Sequence, residues 1–95
     1  MNESVARELL SRELATLRTR SYESLRDELL QEPYVKTVVG PDGEPYQVEI
    51  HAFWDDKPAG DLRVRVSIDD GRGWRAFSPR HDDFIISPSG EFVGE

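Results

Sequence analysis

Val5, Leu9, Leu10, Leu14 and Leu17 recur at spacings of three and four, which places them on one stripe of an amphipathic helix. Asn2 or Ser4 can cap its start. Glu3, Glu8 and Glu13 alternate with Arg7, Arg12 and Arg18 on the wet side, with Glu8 and Arg12 in the favourable i,i+4 order. The stripe breaks at Arg18-Thr19-Arg20. Ser21 is a second N-cap with Glu23 in the first turn, and Tyr22, Leu25, Leu29 and Leu30 form a second stripe. Pro33 ends it, because the residue before a proline is driven out of the helical region.

Beyond Pro33 the period changes to two. Tyr46, Val48, Ile50, Ala52 and Trp54 alternate with Gln47, Glu49, His51 and Phe53, and Leu62, Val64, Val66 and Ile68 alternate with Arg63, Arg65, Ser67 and Asp69. Turn signals separate the runs: Pro41-Asp42-Gly43, Asp55 through Gly60, Asp70-Gly71-Arg72-Gly73 and Pro88-Ser89-Gly90. Pairing the second run with the third sets Trp54 against Leu62, Ala52 against Val64, Ile50 against Val66 and Val48 against Ile68. A slip by one residue would set apolar against polar, so this register is strongly specified. Continuing in the same way pairs Ile68 with Trp74 and Val66 with Ala76. A further turn at Pro79 to Asp83 then pairs Ala76 with Phe84 and Trp74 with Ile86, and Phe92 continues the inner face. Tyr34 to Val39 can be read in two registers.

The fold this predicts is α+β, with two N-terminal helices on one face of an antiparallel meander of four to six strands. It forms one domain over 1–95, helical in 1–33 and β in 34–95. The opposite sheet face carries His51, Phe53, Arg63, Arg65, Arg75, Phe77 and Ile85. His51 is expected opposite Arg65, Phe53 opposite Arg63, and Arg65 opposite Phe77. Arginine and aromatic side chains are the types enriched at binding hot spots. This face is therefore the candidate interaction surface, for an anionic ligand, a protein partner or a second copy of the chain. Long arginine stems covering exposed phenylalanines is the plain structural alternative.

Composition narrows the classes. The 95 residues hold 12 basic and 19 acidic side chains, a net charge of −7. A polyanion is repelled overall, so nucleic acid is not expected as a partner. An acidic inhibitor or immunity-type partner for a basic toxin is one specific form of the interaction reading. There is no cysteine, which excludes disulfides and thiolate metal sites. No apolar run approaches the length of a membrane span and the N-terminus has no secretory pattern, so the expected location is the cytoplasm.

Catalytic signals are sparse. His81-Asp82-Asp83 is read as a loop that could join Asp55-Asp56 in an oxygen-rich metal site, although the spacing matches no established ligand pattern. Asp70-Gly71-Arg72-Gly73 joins two strands and opens no helix, so it is a hairpin turn and not a phosphate loop. No nucleophile elbow or Ser/His/Asp set appears. The expectation is a non-catalytic protein without a cofactor or a metal. A small-ligand pocket between helices and sheet, including Tyr22, Tyr46, Trp54 and Trp74, is the alternative.

Ser21-Tyr22-Glu23-Ser24-Leu25 after a leucine helix, and the ending Ser78-Pro79 through Asp83-Phe84-Ile85-Ile86-Ser87-Pro88-Ser89-Gly90-Glu91-Phe92-Val93-Gly94-Glu95, resemble those of small bacterial proteins classed as domains of unknown function. The resemblance implies a bacterial protein and brings no activity or site with it. The order of helices then meander is similar to that of cystatin-like folds.

Overall fold

Two capped helices precede the sheet. In a computed structural model that describes residues 2–70 and 80–95, α1 spans Glu3–Leu17 and α2 spans Tyr22–Leu29. Asn2 and Ser21 are the N-caps: the Asn2 side chain accepts from the Val5 N–H and the Ser21 hydroxyl from the Ser24 N–H, each at 3.1 Å. Each cap satisfies a first-turn donor that has no partner inside its helix.

The strands are β1 (Tyr34–Val39), β2 (Pro45–Trp54), β3 (Leu62–Asp69) and β4 (Arg80–Ile86), antiparallel in the order β1-β2-β3-β4. β2 and β3 pair in the expected register, with Val48 opposite Ile68 and Trp54 opposite Leu62. β1 pairs with β2 so that Tyr34 faces Ile50 and Val38 faces Tyr46. The tight turns of β1–β2 and of the C-terminal segment are built alike. Gly40 N–H donates to the Glu44 carbonyl and Gly43 N–H to that of Gly40; likewise Ser87 N–H donates to Glu91 and Gly90 N–H to Ser87. Gly43 and Gly90 sit at φ +81° and +90°, the left-handed third position that such three-residue hairpin loops require. Both loops read Pro-x-Gly in the sequence.

β3 and β4 depart from the expected register. Ile68 faces Arg80, Val66 faces Asp82, Val64 faces Phe84 and Leu62 faces Ile86. The expected partners Trp74 and Ala76 lie outside the described residues. Ile68 lies between Val48 of β2 and Arg80 of β4, and Val66 between Ile50 and Asp82, so β2 and β4 occupy both sides of β3. Ile86 instead meets Phe92 across an isolated bridge, and Val93 N–H donates to the Ile85 carbonyl at 2.9 Å, so the C-terminal segment covers that part of the β4 edge.

The even-numbered strand positions from Tyr46 to Ala52 and from Leu62 to Ile68, with Phe84 and Ile86, are buried beneath Ala6, Leu9, Leu10 and Leu17 of α1 and Tyr22, Leu25 and Leu29 of α2. α1 packs on β3 and β4, and α2 on β2 and β3. Both buried tyrosines have hydroxyl partners: Tyr22 donates to the Gly60 carbonyl and Tyr46 to Asp42 Oδ2, each at 2.7 Å. Gly40 marks a close approach of α1 to the first hairpin. A Cβ there would lie 2.9 Å from the Tyr46 ring and from a Val5 methyl.

Candidate outer-face interaction site

Strict alternation sends the odd-numbered residues of β2, β3 and β4 to the face that neither helix covers. His51 lies opposite Arg65, Phe53 opposite Arg63 and Ile85 opposite Arg63 on its other side. The three aromatic and cationic side chains nearest the middle are stacked in a row. The His51 and Phe53 rings are 5.7 Å apart at 50°, and the Arg65 guanidinium carbon is 5.3 Å from the Phe53 centroid.

Carboxylates hold the arginines in place. Arg63 donates from Nε to Asp55 Oδ1 at 2.9 Å and from Nη1 to Asp83 Oδ1 at 2.9 Å, with Nη2 2.7 Å from Asp55 Oδ1. Arg65 donates from Nη2 to the other oxygen of Asp83 at 3.2 Å. Asp83 thus bridges both guanidinium groups. The hydrogen bond that Arg63 donates to Asp55, and the charge of Asp83 behind it, raise the Arg63 pKa above its ordinary value against the opposing effect of burial. Two cations matched to two anions leave little excess positive charge here, which weakens the case for an anionic ligand.

Of the residues picked out from the sequence, His51, Phe53, Arg63, Arg65 and Ile85 share this face. Arg75 and Phe77 lie outside the described residues. On β4 the residue opposite Arg65 is Asp83, which accepts its hydrogen bond. Asp83, in turn, is not in a loop: His81, Asp82 and Asp83 belong to β4, with His81 opposite Ser67 on the outer face and Asp82 opposite Val66 on the helix side. Adjacent strand residues point to opposite faces, so these three cannot converge on one ion. Asp55 and Asp83 do meet, but around Arg63. Among the described residues no group of three His, Asp or Glu side chains is placed to hold a metal ion.

Sequence reading missed Asp83 as a member of this face. Its signal was present in the alternation of Asp83 and Ile85 with buried Phe84 and Ile86, once the strand was begun early enough. The aromatic residues considered for a ligand pocket fill the core: Tyr22 and Tyr46 are buried and hydrogen-bonded, and Trp54 packs against the core. Trp74 lies outside the described residues. A surface groove of about 210 Å³ runs beside β1 between α1 and α2, lined by Leu17, Leu29, Tyr34 and Ile50 and rimmed by Glu13 and Lys36.

Among the described residues, no helix is long and apolar enough to cross a membrane. No family model, no curated protein and no solved structure matches the chain.

Proposed function

We propose that this chain is a cytoplasmic, non-catalytic interaction module that docks a protein partner on its outer sheet face. The observation that carries this reading is the preordered row His51, Phe53, Arg65, Asp83, Arg63 and Asp55, held by ring stacking and bridging carboxylates on a face without helices. Side chains already fixed in one geometry lose less conformational freedom on binding, so more of the contact energy appears as affinity. The half-buried Phe53 supplies apolar area at the centre, and the paired charges around it form a polar rim. A net charge of −7 favours a partner with a basic surface and raises its association rate at low salt.

The test is recovery of a binding protein on the immobilised chain, followed by calorimetric titration of that purified protein. Phe53→Ser and Arg65→Ser are expected to weaken binding at least about tenfold, the effect of losing a hot-spot contact. Equal affinity for wild type and both variants, or no protein that binds saturably, overturns the reading.

A further inference from the structure

β1 ends the sheet, and its free edge is unusually open to pairing. The Gly40 N–H donates to the Glu44 carbonyl, just before β2. Antiparallel alternation then turns the backbone groups of Tyr34, Lys36 and Val38 toward β2, and those of Val35, Thr37 and Val39 away from the sheet. Among the described residues no strand lies beyond them. Exposed strand edges are ordinarily protected by a charge, a proline or a bulge. Tyr34–Val39 has no proline, and its one charge, Lys36, is turned to the helix side, where it pairs with Glu13 at 2.9 Å. Val35 is 56% exposed and Val39 71% exposed, both on the outer face.

We infer that a second copy of this chain occupies this edge, β1 against β1 in antiparallel pairing about Thr37, joining two sheets into one. The sequence selects both the occupant and the register. Hydrogen bonds across the edge need outward-turned residues on both strands, so the symmetric registers that pair most of the strand are those centred on Lys36, Thr37 or Val38. Centring on Lys36 sets two ammonium groups face to face and places Val39 against Pro33, which has no N–H. Centring on Val38 places Val35 against Pro41, which lacks one too. Centring on Thr37 opposes Val35 to Val39 and Thr37 to Thr37, so every outward N–H and carbonyl is satisfied and a ladder of branched side chains forms on the outer face. On the helix side Tyr34 meets Gly40 of the other copy, an aromatic ring over a glycine that has no side chain of its own. The helices pack chiefly over β2, β3 and β4.

A strand-edge interface is smaller than the ~1,600 Å² of a standard one, and two chains of net charge −7 repel. The dimer is therefore expected to have a Kd on the order of 10–100 µM and, unlike a charge-driven complex, to tighten as salt is added. It does not depend on what the outer face binds.

Because the chain contains no cysteine, a single engineered thiol reports the register. Opposed Cα atoms of a hydrogen-bonded pair are about 5.5 Å apart, within disulfide reach. Mild oxidation is expected to cross-link Thr37→Cys into a covalent dimer and to leave Val35→Cys monomeric, while a mixture of Val35→Cys and Val39→Cys gives the heterodimer. In sedimentation equilibrium up to about 500 µM, wild type and Phe53→Ser are expected to dimerise. Thr37→Lys is expected to stay monomeric with an unchanged circular dichroism spectrum. A wild-type monomer throughout that range, a dimer that survives Thr37→Lys, or cross-linking of Val35→Cys as readily as Thr37→Cys overturns the inference. Loss of the dimer in Phe53→Ser alone would place the self-contact on the outer face and overturn it as well.

Discussion

At the scale of single residues, Tyr46 is the most informative side chain. It is buried under α1, yet its hydroxyl reaches out of the core to Asp42 in the first hairpin turn. The hydrogen bond to Asp42, with burial next, pushes the Tyr46 pKa up to about 12. The same bond holds Asp42 below the usual carboxylate range. A raised tyrosine favours the neutral phenol in the folded state. Its contribution is complete below the unfolded value near pH 10 and is lost as pH rises through about 12. A lowered aspartate works in the other direction: its contribution is present above an unfolded value of about 3.9 and disappears as pH falls through the folded one. Between these limits the pair is insensitive to pH. Tyr46→Phe is expected to lower stability at neutral pH by about 0.5–1.5 kcal/mol, the worth of one side-chain hydrogen bond. It is also expected to flatten the loss above pH 10 and to remove the tyrosine absorbance step near pH 12. Urea unfolding across pH, read beside a 295 nm titration, checks both; an unchanged alkaline limb would show that the hydrogen bond is not formed in solution.

At the scale of elements, neighbouring residues of β3 differ sharply in what they contribute. Val64 and Val66 are fully buried, while Arg63 and Arg65 keep 28% and 42% of their side-chain surface in water. Val66→Ala is expected to cost about 2 kcal/mol through lost apolar contact and the cavity left behind. Arg63→Ala is expected to cost less than about 1 kcal/mol, because partly exposed ion pairs are weak and Asp83 retains Arg65. Urea midpoints of the two variants measure the difference, and a larger loss from Arg63→Ala would mean that the faces are reversed.

The same contrast explains what could be read in advance. In β2 and β3 every inner position lies beneath a helix, so every inner position must be apolar and the register follows from the letters alone. β4 has no such constraint over its first half. Arg80 is exposed and pairs with Glu3 at the start of α1, and Asp82 is exposed and accepts from the Asp83 N–H. With polar residues at inner positions, Arg80-His81-Asp82-Asp83 reads as a loop, and only Phe84 and Ile86 carry the strand signal. The helix caps and the Pro-x-Gly turns were legible for the opposite reason: each is decided by local backbone geometry, in which one side chain or one glycine suffices. The outer-face residues could be assigned by parity. The bridging role of Asp83 could not, since it depends on the β3–β4 register that sets Asp83 opposite Arg65 and within reach of Arg63.

At the scale of the whole molecule, one sheet face is the platform on which both helices bury their leucines. α1 and α2 are joined by the short turn from Arg18 to Ser21 and pack chiefly on strands: α1 on β3 and β4, α2 on β2 and β3. Ion pairs add links from α1 to the sheet, Glu13 with Lys36 of β1 and Glu3 with Arg80 of β4, and Arg18 lies over the Phe92 ring 4.3 Å from its centroid. Local support is slight by comparison. α1 has 15 residues and no basic residue in its last turn, and α2 has 8 residues. In water, helices shorter than about 12–15 residues are marginal even for favourable sequences, because nucleation is costly and is offset in proteins by tertiary packing. A peptide spanning residues 1–33 is therefore expected to show less than about a third of the helical ellipticity at 222 nm that the intact chain assigns to the same residues. Buried Ala6, Leu9, Leu25 and Leu29 have no surface to meet in that peptide. A strongly helical peptide would mean that the helices stand by themselves. The intact domain should then lose its sheet without losing its helices as urea is added, instead of unfolding in one cooperative step.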